Sequence, residues 1–212
     1  MQKSAESSAE LEADRLECQR GGRTLFCGLS FALHAGEALL VEGENGSGKT
    51  SLLRLLCGLS RPASGEVRWR GRAIAAQRAE YARDMAWLGH QHGVKPELQT
   101  FENLAFAAAL RGEARRDGVE RALETVGLGE QAEVAGRALS AGQKQRLALA
   151  RLLLSRARLW ILDEPFTALD AGGGELVRTL IENHLGEGGL AVLTSHQPVS
   201  LQVPLARLGL TG

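Results

Sequence analysis

Gly43-Glu44-Asn45-Gly46-Ser47-Gly48-Lys49-Thr50 decides the fold of this chain. The stretch fits G-x-x-x-x-G-K-[ST], a loop whose backbone wraps phosphate groups. Its surroundings are those the motif needs. Ala38-Leu39-Leu40-Val41-Glu42 reads as a strand leading in, and Ser51-Leu52-Leu53-Arg54-Leu55-Leu56 as a helix leading out. Three glycines let successive N–H groups turn towards one anion. The helix N-terminus adds its partial positive charge. Lys49 can reach the β- and γ-phosphates, and the Thr50 hydroxyl can ligate Mg²⁺. Without the strand and the helix, the same residues would read as an unliganded glycine-rich turn. With them, Gly43 to Thr50 and the following Ser51 are the expected nucleotide contacts.

Downstream, Leu159-Trp160-Ile161-Leu162 is an apolar strand that ends in Asp163 and Glu164. The C-terminal edge of a parallel sheet is where ligands sit. Asp163 fits the carboxylate that accompanies Mg²⁺ in P-loop nucleoside triphosphatases, and Glu164 is then placed to polarise the attacking water. Alone, the pair would be ordinary strand-end acids; the loop upstream makes them a site.

The rest of the chain alternates. Leu16–Cys18, Arg23–Phe26 and Leu29–Leu33 read as short strands broken by Gly21-Gly22 and Ala35-Gly36. Glu66–Gly71 and Met85–Gly89 read as two more. From Thr100 to about Leu139 the text becomes helical, rich in Ala, Leu, Glu and Arg, with helices expected over Phe101–Leu110 and Val119–Val126. Helices are expected again over about Ala141–Ser155 and Gly173–Leu185, with a strand at Leu190–Thr194. The pattern predicts an α/β fold: a mostly parallel core sheet covered on both faces, an N-terminal antiparallel β part, and a helical subdomain at about 92–138 inserted into one domain spanning 11–212.

Composition narrows the function. Lys plus Arg and Asp plus Glu number 25 each, so the formal charge is zero and nothing argues for nucleic acid as the main partner. The three cysteines, Cys18, Cys27 and Cys57, form neither a disulfide framework nor a zinc pattern and are expected to be buried or idle thiols. No apolar run approaches the ~18 residues of a membrane span. Residues 1–10 are polar and read as a disordered tail, with no signal-peptide core. The expected location is the cytoplasm, with membrane contact through a partner.

Leu139-Ser140-Ala141-Gly142-Gln143 lies between the helical stretch and the strand that ends in Asp163. Ser140 alone would be no more than a helix N-cap. Together with Gln91 after the Met85–Gly89 strand, Ala168-Leu169-Asp170, and His196 after the last strong strand, it makes the chain resemble the ATP-binding-cassette ATPases over nearly its whole length. Leu139–Gln143 is similar to the family signature LSGGQ, with Ala141 replacing one glycine. The resemblance implies that two copies pair head to tail and enclose two ATPs. Each ATP would lie between the P-loop of one copy and Ser140, Gly142 and Gln143 of the other, with Asp170 nearby. It also implies Glu164 as general base, His196 and Lys49 at the γ-phosphate, and Gln91 sensing Mg²⁺ and water and relaying to the helical subdomain. Mg²⁺ would be held by Thr50, Asp163 and Gln91. A dilute monomer would then be weakly active.

The family usually stacks adenine on an aromatic residue near the start of the domain. Here that position falls at or beside Arg20, with no Tyr, Trp or Phe before Phe26. A guanidinium can stack on a π-face, so Arg20 is a candidate platform; a solvated surface arginine is the alternative. His90 and His92 flank Gln91 without forming a metal pattern.

Arg23-Thr24-Leu25-Phe26, Gly58–Pro62, Gly89-His90-Gln91, Leu159–Asp170 and Ser195-His196-Gln197-Pro198 further resemble the ATPase subunits of bacterial cytochrome c maturation, a haem-exporting family. That likeness implies transmembrane partner subunits that handle haem, and a peripheral position on the cytoplasmic face of the inner membrane. The ATPase of another small exporter, a soluble cassette acting on DNA or ribosomes, and a degenerate ATP-sensing subunit are the rivals. Intact Lys49, Asp163, Glu164 and His196 speak against the last.

Overall fold

The computed structural model describes residues 9–112 and 115–210. Two sheets carry the fold. The first is antiparallel, in the order β2-β1-β4-β5, from β1 (Leu11–Arg20), β2 (Arg23–Leu33), β4 (Ser64–Trp69) and β5 (Arg72–Ala73). The second is wholly parallel, in the order β6-β7-β8-β3-β9. It comprises β3 (Ala38–Glu42), β6 (Met85–Leu88), β7 (Leu159–Leu162), β8 (Leu190–Thr194) and β9 (Leu205–Gly209). Its central strands are apolar up to their last residue because both faces are covered. Alternate residues sort to opposite sides. Leu39 and Val41 join the core shared with Leu11, Leu16, Trp69 and the helix α1 (Lys49–Leu56). Ala38 and Leu40 join the core shared with the helices on the other face.

Those helices are α3 (Thr100–Leu110), α4 (Arg116–Thr125), α5 (Ala141–Leu154) and α6 (Ala171–Gly186). The first three contact one another, and α5 also reaches β6. Strands β3, β7 and β8 lie side by side, so the segments that leave their C-terminal ends converge: the P-loop, Asp163-Glu164 and Ser195-His196.

Three features depart from the sequence expectation. The two strands expected at Arg23–Phe26 and Leu29–Leu33 are one, β2, which passes through Gly28 at φ +66 without breaking. The helix α2 (Arg78–Asp84) and the strand β9 were not expected: α2 spans only seven residues, and β9, Leu-Ala-Arg-Leu-Gly, shows no clean alternation. Of the stretch expected as a tail, residues 1–8 lie outside the described residues, but Glu10 is tied down. Arg158 Nε donates to its carboxylate at 2.8 Å and Arg70 Nε at 3.2 Å. These bonds hold its carboxyl below the usual range, the Arg158 bond contributing most. Cys18 and Cys57 are buried, Cys27 is exposed, and all three are free. Among the described residues no helix is long and apolar enough to cross a membrane.

Candidate nucleotide site

The P-loop curls through glycines that either hold left-handed backbone in open space, as Gly46 does at φ +87, or sit where a side chain has no room. A Cβ on Gly43 would lie 2.6 Å from both Leu210 O and Ser47 Oγ. Gly48, at φ +102, caps α1 and packs against Leu25 and Phe26 of β2. Lys49 is buried, and its Nζ donates to Gly43 O at 2.7 Å and Glu44 O at 3.0 Å. Glu44 and Asn45 are exposed on the outer curve of the loop, while Ser47 is buried with its hydroxyl unpartnered.

A chain of short contacts joins the loop to the ends of β7 and β8. Thr50 Oγ1 donates to Asp163 Oδ2 at 3.1 Å, and Thr194 Oγ1 donates to Asp163 Oδ1 at 2.9 Å. The same Thr194 hydroxyl accepts from Glu164 N at 2.9 Å. Glu164 adopts φ +54, a left-handed conformation uncommon for its type. Its Oε2 accepts from His196 N at 3.1 Å, and its Oε1 lies 3.3 Å from His196 Nε2. That second approach is an ion-pair distance without hydrogen-bond alignment, so Oε1 keeps a free lone pair although it is buried. Lys49, Thr50, Asp163, Glu164 and His196 are thus brought together. Thr194, which bonds to the Asp163 carboxylate and to the Glu164 backbone N–H, went unnoticed in the sequence; a hydroxyl closing the apolar run Leu190–Leu193 is the available signal.

Ser140, Gly142, Gln143 and Asp170 gather in a second cluster. Ser140 is exposed and N-caps α5: its hydroxyl accepts from Gln143 N at 3.2 Å, and Gln143 Oε1 accepts from Ser140 N at 2.9 Å. This reciprocal arrangement is a capping box. Asp170 N-caps α6 by accepting from Gly173 N at 2.7 Å. A Cβ on Gly142 would lie 2.9 Å from Ala168 O, whereas Ala141 is exposed. The signature therefore tolerates alanine at 141 but needs glycine at 142. Gln91 is exposed on the loop after β6. Arg20 is exposed at the end of β1, two residues beyond the buried Cys18. His90 is exposed; His92 is partly buried, and this burial lowers its pKa.

The fold and this loop define a P-loop nucleotide-binding cassette, and the family model described as ABC transporter matches residues 26–167. The chain belongs to the ABC transporter family, in the branch of the cytochrome c biogenesis ATP-binding export proteins. It is 53% identical over 97% of its length to the whole of such a protein, "Cytochrome c biogenesis ATP-binding export protein CcmA", from Methylococcus capsulatus. A 47% identical relative of the same name from Escherichia coli K12 covers 95% of this chain and 96% of its own. Among solved structures, a putative ABC transporter ATP-binding protein from Pyrococcus furiosus superposes with a TM-score of 0.82 at 24% identity, covering 94% of this chain and 96% of its own. Proteins of this family bind nucleotide.

Proposed function

We propose that this chain is the ATP-hydrolysing subunit of a membrane-bound export complex of bacterial cytochrome c biogenesis, with haem as the species handled by its membrane partners. The identity to the Methylococcus capsulatus protein over nearly the full length carries the assignment to that system. The chain of contacts from Thr50 through Asp163 and Thr194 to Glu164 and His196 supports the chemistry.

Glu164, with a buried and unpaired Oε1, accepts a proton from the water that attacks the γ-phosphorus, and ADP is the leaving group. His196 holds Glu164 from two atoms. Lys49 leaves the Gly43 and Glu44 carbonyls to meet the phosphates, while the loop N–H groups and the start of α1 bind their charge. Thr50 and Asp163 present converging hard oxygen donors and fit Mg²⁺, and Gln91 would be a further ligand from its exposed loop. Mg²⁺, when bound, would neutralise the charge shared by the β- and γ-phosphates.

The second cluster completes the site of another copy. Ser140 and the α5 N-terminus face solvent within one chain, so a head-to-tail dimer supplies them across the interface. A solved relative of the fold, 24% identical with a TM-score of 0.78 and covering 88% of both chains, is a dimeric post-hydrolysis state of an ATP-binding cassette bound to ADP and Pi. The transmembrane partners place the complex at the cytoplasmic face of the inner membrane. Arg20 stacks on adenine; Arg20→Ala should weaken ATP binding several-fold, and an unchanged affinity would reject the platform. For the function as a whole, a strain lacking this chain should fail to mature c-type cytochromes. The wild-type gene should restore them and Glu164→Gln should not; restoration by Glu164→Gln would reject the assignment.

A further inference from the structure

We propose that Arg151 is a positioning residue for ATP hydrolysis, setting the Gln91 loop from the helix that opens with Ser140. The inference rests on the ATPase reading above and names a regulatory link within it. Arg151 lies near the far end of α5. Its Nη1 donates to His92 O at 2.5 Å and its Nη2 to Gly93 O at 3.0 Å. These are the two residues that follow Gln91. Gly93 sits at φ +59, and a Cβ there would meet Nη1 at 3.2 Å, so the glycine admits both the turn and the guanidinium.

The chemistry of this contact is unusual for a stabilising device. Among the described residues no carboxylate pairs with Arg151, and its Nε is buried without a partner. Arg151 is partly buried, and withdrawing a cation from water is costly unless it is paired and fully hydrogen-bonded. Here the charge is directed at two carbonyls of one loop, in the forked geometry that arginine has and lysine lacks.

The same helix holds the other side of the reaction. Gln145 Nε2 donates to Pro165 O at 2.7 Å, immediately after Glu164. One helix of 14 residues therefore carries Ser140 at its first turn, the backbone behind Glu164 at its second, and the backbone behind Gln91 at its last. A shift of α5 when its N-terminus meets a partner's nucleotide would move both Gln91 and Glu164.

The test is a double-mutant cycle in the full chain, measuring ATP turnover and ATP affinity for wild type, Arg151→Met, Gln91→Ala and the pair. Arg151→Met should lower kcat about tenfold while leaving affinity within about twofold, and in the Gln91→Ala background it should add little. A second full drop in that background, or an unchanged kcat in the single variant, would overturn the proposal. Arg151→Lys keeps the charge but loses the fork, and should fall between. Should Arg151→Met fail to fold, amide exchange in Arg151→Lys decides: faster exchange in the segment 92–95 with α5 unchanged supports the link, and unchanged exchange refutes it. Glu164→Gln is the control for the underlying reading. A wild-type chain that hydrolyses no ATP would sink the proposed function, while the exchange measurement, which needs no turnover, still reports on Arg151.

Discussion

The P-loop cluster and the Ser140 cluster, proposed above to share one ligand between two copies, are built in opposite ways. Around Lys49 the polar groups are bonded to one another across three strand ends, with Lys49, Asp163 and Thr194 buried, so the geometry is fixed by the sheet. Around Ser140 the groups lie at the surface in caps that any helix could wear, with one longer link from Arg146 to Asp170. One cluster is organised by the fold; the other offers a surface to something outside the chain. A site split this way can be switched by association, because only one half is under the control of the monomer.

The largest effect should come from breaking the organised half. Glu164→Gln is expected to lower ATP turnover about 10³-fold while ATP still binds, since it removes the base and keeps the shape. Rates and nucleotide affinity measured on the same preparation check this, and turnover near wild type would remove Glu164 from the chemistry.

The split itself is broken next. Lys49→Ala and Gly142→Val should each be nearly inactive. Mixed in equal amounts with exchange of subunits, they should recover about a quarter of wild-type activity, because half of the dimers would then hold one intact composite site. Mixtures as inactive as the separate variants would mean that the two clusters never face each other.

Changes in the shared scaffold should spare the comparison. Glu10→Gln should cost about 1 kcal/mol of stability at neutral pH, given its partly exposed partners, and leave turnover per folded molecule unchanged. Its carboxyl is depressed in the folded state. The contribution is therefore present above the ordinary carboxylate value and is lost as pH falls through the depressed one. Denaturant midpoints across that range check it.

The smallest effect is expected at His184, which stacks on Trp160 at 4.0 Å and bonds through Nε2 to Arg158 O and Leu190 O. Burial lowers its pKa, so the unfolded chain takes up the proton first and stability declines as pH drops below about 6.5. His184→Gln should flatten that part of the melting curve; an unchanged slope would assign the effect elsewhere, His92 being the next group lowered by burial.

The two clusters also differ in how far the sequence exposes them. The P-loop, Asp163 and Glu164 are legible because each sits at a strand end and carries its chemistry in a local pattern. Ser140, Gln91, Asp170 and His196 are legible only through family resemblance, since a helix cap, an exposed glutamine and a loop histidine say little alone. Thr194, Gln145 and Arg151 stay hidden because their partners lie 20 to 59 residues away and are chosen by packing. The strand β9 stays hidden for a similar reason: its place is set by pairing with β3, not by its own alternation.

The backbone of Glu164 has a further consequence. A left-handed conformation costs a residue with a Cβ about 1 kcal/mol or more, and least for asparagine or glycine. Selection for heat resistance alone would thus drift away from glutamate at 164, and selection for turnover would pull it back. Its persistence in any lineage is then a record of which pressure has prevailed.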